Sequence, residues 1–401
     1  MEKEKDRICK EVDAISDVLF SINNYLKENP ETAFLEKKAC EYLSAILEKY
    51  GFNVEKGIGN VETAFMGRPR GYGAKRPNVA FLAEYDALPE IGHGCGHNLI
   101  AAASVGAAVV SSRILAENAG SVAIVGTPAE EGGGGKVRLL EAGIFDQIDA
   151  AMMFHPKDRN FPGRNNLGRI KLKMEFFGKS AHASSSPDRG RNALDAMVMA
   201  YTAMNSIRQH LKSDGRIHGI ITRGGDSPNV IPDYVAGLFY VRAASRSYQD
   251  ELFERVKLCA EGAALATGTE VKTEIIFPSL DPIRRNAALE DAVQKNMQLL
   301  GIPVDADDGR KGSSDIGNLS HHIPVIHPYL AIVDPGIPGH SVTFCEASTS
   351  VRGRQALIHA AKILAMTAHD YLSSPQLREM ALEEFNQRGL DSCEITGSRA
   401  G

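Results

Sequence analysis

Short apolar runs separated by helix-length segments are the feature that most limits the folds open to this chain. The runs are VAFLA, SVAIVG and AAMMF, which begin at Val79, Ser121 and Ala150. Strands buried on both faces have this continuous apolar pattern, and helices between them make successive strands parallel. Upstream, residues 6–30 and 31–52 have the pattern of two helices. We therefore predict an α/β fold with a mixed, mostly parallel sheet flanked by helices.

Polar side chains follow these runs at the points where the predicted strands end. Glu84 and Asp86 follow the first run, Glu130 and Glu131 the second, and His155 the third. In open α/β sheets the ligand crevice lies outside the carboxyl ends of the strands. By themselves, two adjacent glutamates are more typical of an acidic turn exposed to solvent than of a functional site. Because three separate runs bring carboxylates and an imidazole to one edge, the pattern favours a functional site there.

The loop GHGCGHN, residues 92–98, adds a cysteine and two histidines to the same region. Thiolate and imidazole are good ligands for zinc-like ions, and glycines let a short loop turn Cys95 and His97 toward one ion. The alternative is an ordinary turn in which these side chains have no function. One glutamate on a metal, with its neighbour free as a general base, would complete a hydrolase site.

A change of pattern after residue 168 indicates a second domain. Residues 169–280 have the order strand, helix, strand, strand, helix, strand, which suits a small α+β, ferredoxin-like domain with one antiparallel sheet. After Asp281 the helix-rich pattern returns. We therefore predict that this domain is inserted into a discontinuous domain of residues 1–168 and 281–401. A length of 401 residues also favours two domains.

Charge and cysteine usage exclude several classes of protein. The net charge is −5 and the basic residues are scattered, whereas proteins that bind nucleic acid cluster them on one face. The stretch LIAAASVGAAVV is too short to span a bilayer and predicts a buried helix. The six cysteines lie far apart, without a CxxC pair or a secretory signal, which indicates reduced thiols. We expect a cytoplasmic protein that binds neither nucleic acid nor membranes.

Seven motifs, in order along the chain, resemble the M20 family of metallopeptidases and amidohydrolases. They are NPETAF, AEYDALPEIGHGCGHN, GTPAEEGGGGK, MMFHP, FFGKSAHASSSPDRGRNALDA, SPNVIPD and PGIPGHSVTFCEAS. The second is the most specific, and the set is most similar to the branch of aminoacylase-like amidohydrolases and p-aminobenzoyl-glutamate hydrolases. The resemblance covers nearly the whole chain. It implies a metal-dependent catalytic domain with an inserted lid domain.

The resemblance also implies a role for individual side chains at the predicted site. Glu130 matches the general base, and Asp86 matches the aspartate that orients a metal-bound imidazole. Cys95 stands where many relatives have a bridging aspartate. Glu84 departs from the pattern, because distant relatives have His and many close ones have Arg at that position, so its role stays open at this stage. The positions that match metal ligands are Cys95, His97, Glu131, His155 and His340.

Residues of the predicted inserted domain match the family as well. Asn229 and Arg242 match lid residues that hold a substrate carboxylate. His182 matches a histidine that reaches the active site of a second subunit and stabilises the oxyanion. The resemblance thus implies a homodimer that pairs through the inserted domain. The segment RIHGIITRG, which is apolar and free of proline, suits the edge strand of such a pairing.

These observations predict a metal-dependent amidohydrolase with one or two divalent ions per subunit. The thiolate favours zinc, and the carboxylates and imidazoles make manganese the second choice. The predicted substrate is an N-acyl or aroyl amino acid, or a small dipeptide, with a free carboxylate. A metal-activated water attacks its amide bond, with Glu130 as the general base. The alternatives are a catalytically silent metal-binding relative, which has no need of Glu130, and an acyl transferase that uses the same site.

Overall fold

The computed structural model describes residues 2–71, 76–114, 120–307, 309 and 311–393. The chain divides into two compact units. The first comprises Met1–Arg164, Arg284–Arg310 and Leu319–Gly401, and the second comprises Asn165–Ile283 and Lys311–Asn318.

The segment 311–318 groups with the second unit, although the sequence pattern places it in the first domain. Two hydrogen bonds within the second unit explain this grouping. The Leu167 N–H donates to the Gly312 carbonyl at 2.8 Å, and Arg242 Nη1 donates to Ser313 Oγ at 2.9 Å. A local sequence pattern carries no information about such distant partners. The assignment of one domain to catalysis and the other to subunit pairing stays a prediction.

Nine of the twelve described α-helices lie wholly in the first unit. The sequence predicts a single helix over residues 6–30, but Ile15, with φ −107° and ψ 10°, separates two helices there. No helix among the described residues has the length and apolar character needed to cross a bilayer. The described helices are α1 (Glu2–Ala14), α2 (Ser16–Glu28), α3 (Lys37–Lys49), α4 (His97–Ile114), α5 (Gly135–Glu141), α6 (Ala193–Ile207), α7 (Arg246–Thr267), α8 (Ala287–Leu299), α9 (Ile316–Leu319), α10 (Val342–Ala347), α11 (Val351–Ser373) and α12 (Pro375–Cys393).

The described strands form three sheets. In the first unit a six-stranded sheet has the order β1-β2-β4-β3-β5-β11, and β6 pairs with β12 beside it. Strands β4, β3, β5 and β11 are parallel, and β1 and β2 are antiparallel additions, so the predicted mostly parallel sheet is confirmed. The strands are β1 (Phe52–Lys56), β2 (Phe65–Pro69), β3 (Asn78–Ala83), β4 (Ser121–Gly126), β5 (Ala150–Met152), β6 (His155–Lys157), β7 (Gly168–Phe177), β8 (Arg216–Arg223), β9 (Tyr234–Ala243), β10 (Glu270–Ile275), β11 (Val325–Ile326) and β12 (Tyr329–Ala331).

The parallel strands form the core of the first unit. Every residue of β3 and β4 is buried, and so is almost all of α4, the helix predicted from LIAAASVGAAVV. A parallel sheet is buried in this way because helices cover both of its faces. Since β3, β4 and β5 run in the same direction, the segments that follow them leave the sheet at one edge. That edge carries the polar residues singled out in the sequence.

The second unit has an antiparallel sheet with the strand order β10-β7-β9-β8. Its elements follow the chain order β7-α6-β8-β9-α7-β10. Helices α6 and α7 pack on one face through Met197, Met204 and Leu252 against Phe176 and Phe239 of the sheet. Strands β8 and β10 are the two edges, and β8 is the strand predicted to be an edge. The role of this unit as a lid or in pairing stays a prediction.

Candidate metal centre

His97, the first residue of α4, is held by Asp86. Its Nδ1 lies 3.0 Å from Asp86 Oδ1 and 2.9 Å from the Asp86 carbonyl oxygen, so the Nδ1–H donates to both. The other ring nitrogen, Nε2, is buried without a hydrogen-bond partner and lies 3.5 Å from Glu84 Oε2. In its neutral form a histidine whose Nδ1–H is held by a carboxylate presents the Nε2 lone pair, which is the arrangement of a metal-binding imidazole.

Cys95 and His155 meet beside this ring. Cys95 Sγ lies 3.5 Å from His155 Nε2, and the His155 Nδ1–H donates to the Pro156 carbonyl at 2.7 Å. The loop approaches β6 this closely because Gly96 has no side chain. Gly96 has a φ of +78°, and a Cβ at this position would lie 2.5 Å from the Pro156 ring. Gly96 is therefore needed for the close approach of the Cys95 loop to His155 and Pro156.

Glu131 and His340 form a further contact at the site, with His340 Nε2 2.9 Å from Glu131 Oε1. His340 has a φ of 58°, and its N–H donates to the Gly94 carbonyl at 2.9 Å, which ties this late loop to the GHGCGHN loop. The backbone N–H of Glu131 donates to Asp86 Oδ2 at 2.9 Å. Asp86 thus holds two predicted ligands, His97 and Glu131, through separate oxygens.

The ligand atoms of the five predicted metal-binding residues fall into two groups that share Cys95. The first group is Cys95, His97 and His155, and the second is Cys95, Glu131 and His340. Within each group the ligand atoms lie within 4.8 Å of one another. Glu130 belongs to another such group, with His97 and Glu131. Ligands of one zinc ion, each about 2.0–2.3 Å from the metal, are separated by distances of this order.

The charges at the site suit a cation. Burial disfavours protonation of His97, but the Asp86 carboxylate raises the pKa of this ring well above its usual range, so the ring keeps its second proton until a metal displaces it. Burial, and then the charge of His97, lowers the pKa of His155 to about 3, so the His155 imidazole is neutral, the form that binds a metal. Burial, and next the Glu131 carboxylate, raises the pKa of the Cys95 thiol. A thiolate here therefore needs a cation beside it. Thiol, imidazoles and carboxylate, together with the unpaired Nε2 of His97, are a donor set that fits a divalent ion.

Lys136 forms a buried ion pair that the sequence analysis missed. It follows four glycines after Glu131, its side chain is fully buried, and its Nζ donates to Glu84 Oε1. The sequence left the role of Glu84 open. In the structure Glu84 lies beside Lys136, and its Oε2 is 3.5 Å from His97 Nε2. The Glu84–Lys136 ion pair therefore borders the predicted metal ligands. The sequence feature that could have indicated this buried lysine is its position directly after a run of four glycines.

His327 and Tyr329 also lie beside His155, although neither was predicted from the sequence. The His327 ring centroid is 5.7 Å from that of His155 and 4.7 Å from that of Tyr329, whose Oη lies 3.1 Å from His327 Nδ1. Burial lowers the pKa of His327 well below its usual range, so the ring is neutral. A signal was present, because a His-Pro pair directly follows β11, and the pair His155-Pro156 lies three residues after the end of β5.

In the second unit, His182 and Asn229 lie on adjacent segments. The Ala183 N–H donates to the Asn229 carbonyl at 2.9 Å. His182 is exposed, and its Nδ1 accepts from the N–H groups of Ser184 and Ser185 at 3.3 and 3.2 Å. Because Nδ1 is an acceptor, the ring proton of the neutral histidine is on Nε2. His182 therefore presents a hydrogen-bond donor to the solvent.

Arg242 lies at the other end of the same sheet. It is near the end of β9, whereas His182 follows shortly after Phe177, which pairs with Tyr234 at the start of β9. Ten residues of a strand span about 30 Å. A single copy of this unit therefore does not bring His182 and Arg242 to the same small molecule. Burial, and then the charge of Arg169, lowers the pKa of Arg242.

Known proteins are similar to this chain over most of its length. The model of peptidase family M20/M25/M40 matches residues 80–369. The Xaa-Arg dipeptidase of Mus musculus is 36% identical over 397 residues, which cover 95% of this chain and 92% of that protein. One of the p-aminobenzoyl-glutamate hydrolase subunits of Escherichia coli K12 is 30% identical over 442 residues, covering 90% of this chain and 91% of that protein.

Solved structures share the fold. A protein of Bacillus subtilis, described as a dinuclear metal binding peptidase from the M20 family, superposes with a TM-score of 0.67 at 20% sequence identity. The match covers 89% of this chain and 99% of that one. Both compact units therefore fall within the shared architecture.

Proposed function

Because the chain belongs to peptidase family M20/M25/M40, a family of amide-bond hydrolases, we propose that it is a metal-dependent enzyme acting on small substrates. The substrate we propose is a dipeptide, or an N-acyl or N-aroyl amino acid, with a free carboxylate. The names of two relatives, a dipeptidase and a p-aminobenzoyl-glutamate hydrolase, support this class. The observation that carries the proposal is the convergence of Cys95, His97, Glu131, His155 and His340.

We propose that these side chains hold two divalent ions. Cys95, His97 and His155 would hold one, and Cys95 with Glu131 and His340 would hold the other. Since Cys95 belongs to both groups, its sulfur would be available to either ion. The thiolate favours zinc, and the imidazole and carboxylate donors make manganese the second choice.

Glu130 is the proposed general base. A bound divalent ion supplies polarisation of the scissile carbonyl and a water of lowered pKa. Glu130 accepts the proton of the attacking water and returns it to the leaving nitrogen. The C–N bond breaks, the acyl carbon gains the hydroxyl oxygen, and the products are a carboxylate and a free amine. Asp86 keeps His97 and Glu131 in place through its two carboxylate oxygens.

We propose that the ferredoxin-like second unit supplies the groups that bind the substrate. Arg242 of one copy and Asn229 of a second copy would hold the substrate carboxylate, and His182, which lies beside Asn229, would donate its Nε2–H to the developing oxyanion. His182 and Arg242 are about 30 Å apart in one chain, so they serve different sites. The site of one subunit would then take both His182 and Asn229 from a second copy. This arrangement requires a homodimer.

Strand β8 is the surface through which we expect two copies to pair. Ile220 and Ile221 on this strand are 63% and 40% exposed, although they are apolar. An exposed, proline-free edge strand is a template for pairing with another chain. We expect Ile220→Lys to convert dimers into monomers, because it places two like charges at the paired edge. Size-exclusion chromatography with light scattering measures the mass.

The opposite edge of the same sheet offers a matched control. Ile275 on β10 is 45% exposed, and Ile275→Lys should leave the mass of the dimer unchanged. A monomeric wild-type protein, or equal effects of the two substitutions, would argue against pairing through β8.

A substrate panel tests the proposed reaction. It contains dipeptides that end in arginine or lysine, p-aminobenzoyl-glutamate and N-acetyl amino acids, and release of the amine is measured. We expect hydrolysis of at least one substrate, loss of activity after chelation, and recovery with zinc or manganese. Hydrolysis that survives complete removal of metal would refute metal dependence. Transfer of the acyl group to an added amine would identify a transferase, and metal binding without any turnover a silent relative.

We also propose that the enzyme is cytoplasmic. Five cysteines in the described part of the chain are free thiols, namely Cys9, Cys40, Cys95, Cys259 and Cys345. Thiols stay reduced in the cytoplasm, where disulfides are rare. Cell fractionation with an antibody to the protein tests this location.

A further inference from the structure

Glu36 stands at the start of α3 but does not cap this helix. Its side chain is fully buried and makes no capping hydrogen bond. The backbone N–H groups of Lys38 and Ala39, in the first turn of α3, donate instead to Glu31. The Lys38 nitrogen lies 3.2 Å from Glu31 Oε1, and the Ala39 nitrogen lies 3.0 Å from Oε2. The segment therefore contains two glutamates with separate tasks. Glu31 caps the helix, and the carboxylate of Glu36 is left for partners elsewhere in the chain.

Two of its partners lie in distant segments of the chain. Glu36 Oε1 accepts the backbone N–H of Ala129 at 2.9 Å, and Oε2 accepts the Thr63 hydroxyl at 2.9 Å. Ala129 is buried and has a φ of 59°, in the left-handed region. That conformation is unfavourable for a residue with a Cβ and persists only where the surroundings hold it. The hydrogen bond from Glu36 is one of the contacts that hold it.

The residue that follows Ala129 is the proposed general base. Glu36 binds the N–H of Ala129, and Asp86 binds the N–H of Glu131 at 2.9 Å. Two buried carboxylates from separate segments therefore hold the backbone on either side of Glu130. A turn clamped at both ends gives the side chains of residues 130 and 131 fixed directions.

We propose that Glu36 is a positioning residue for the reaction: by holding Ala129, it directs Glu130 as the base and Glu131 as a metal ligand. The inference rests on the proposed function for the roles of these two glutamates. Glu36 itself touches neither substrate nor metal. Its loss should act on turnover and on metal affinity together, because both side chains leave the same turn.

Glutamine is a matched replacement at this position. Burial, and then the charge of Asp86, raises the pKa of Glu36 to about 7, so the protonated form is accessible near neutral pH. A protonated carboxyl and a carboxamide both keep an oxygen that accepts from the Ala129 N–H. The amide N–H groups of glutamine can also donate to the Thr63 hydroxyl oxygen. Glu36→Gln should therefore preserve the turn.

The test compares Glu36→Ala, Glu36→Gln and Thr63→Val. We expect Glu36→Ala to lower kcat about 10–100-fold with little change in KM, because a small displacement of a catalytic group costs that much. Zinc affinity, measured by competition with a chelator, should fall about tenfold or more, as for other supports of metal ligands. Glu36→Gln should restore both quantities. Thr63→Val removes the other hydrogen bond of the same carboxylate, and should lower the melting temperature while leaving kcat and zinc affinity near wild type.

Wild-type kcat and zinc affinity in Glu36→Ala would overturn the inference. Equal losses in Thr63→Val would also overturn it, since they would mark a structural role alone. If Glu36→Ala does not fold, Glu36→Asp is measured in the same way, because it keeps the carboxylate but withdraws it by one methylene. Zinc affinity is measured without substrate. A wild-type protein that cleaves nothing would therefore defeat the proposed function, while the zinc measurements still decide the role of Glu36.

Discussion

Replacing Glu130 with glutamine should lower kcat by about 10²–10⁴-fold and leave the metal content unchanged. Glutamine has nearly the same shape as glutamate but lacks a basic oxygen, so it cannot accept the proton of the attacking water. The substitution should not move the turn, because the N–H groups of Ala129 and Glu131 are held by Glu36 and Asp86. The lost rate therefore reports on proton transfer and not on folding.

Steady-state kinetics together with elemental analysis of the bound metal measure this effect. Cys95→Ala provides the contrast, because it removes a proposed ligand and leaves the base in place. We expect it to lose metal, whereas Glu130→Gln keeps it. Near-wild-type kcat in fully metallated Glu130→Gln protein would place the base elsewhere, and loss of metal from that variant would make Glu130 a ligand.

His182→Ala should lower kcat by about 10²–10³-fold, the usual effect of removing one donor to an oxyanion. The donor is the Nε2–H, since Nδ1 accepts from the N–H groups of Ser184 and Ser185. His182 is exposed, so its truncation should cost little stability. The metal content should stay unchanged, because we place this residue outside the metal centre.

Subunit exchange shows whether His182 acts on the other subunit. Neither His182→Ala nor Glu130→Gln protein should be active alone. A hybrid dimer has one site with both Glu130 and a neighbouring His182. Random exchange of equal amounts should thus restore about a quarter of wild-type activity. Mixing Glu130→Gln with the double variant is the control and should stay inactive. An inactive mixture after verified exchange would show that His182 acts within its own chain, and wild-type activity of His182→Ala protein alone would show that His182 has no part in catalysis.

The parallel sheet could be predicted because strands that are buried on both faces have continuous apolar sequences. The apolar runs at Val79 and Ser121 became fully buried strands, and LIAAASVGAAVV became the buried helix α4. The strand β1 (Phe52–Lys56) has no continuous apolar sequence, since only its first residue is buried. Its pairing with β2 depends on register with a neighbour, which a local pattern does not record.

The place of the candidate site could also be predicted, because residues after parallel strands meet at one edge of a sheet. This rule alone brings Asp86, Glu130 and His155 to the same region. The rule could not predict how the metal ligands divide into two groups. That Cys95 is common to two groups follows from the path of its loop, in which Gly96 lets the chain come close to Pro156.

The sequence by itself therefore determined the family, the mostly parallel sheet and the edge at which reactive side chains collect. Only the tertiary structure decided that Lys136 is buried against Glu84, that His327 lies beside His155, and that Glu36 binds Ala129. Local periodicity records which face of a helix or strand is buried. A hydrogen bond between residues 93 positions apart in the chain depends on how packed elements bring those residues together, and no local pattern encodes it.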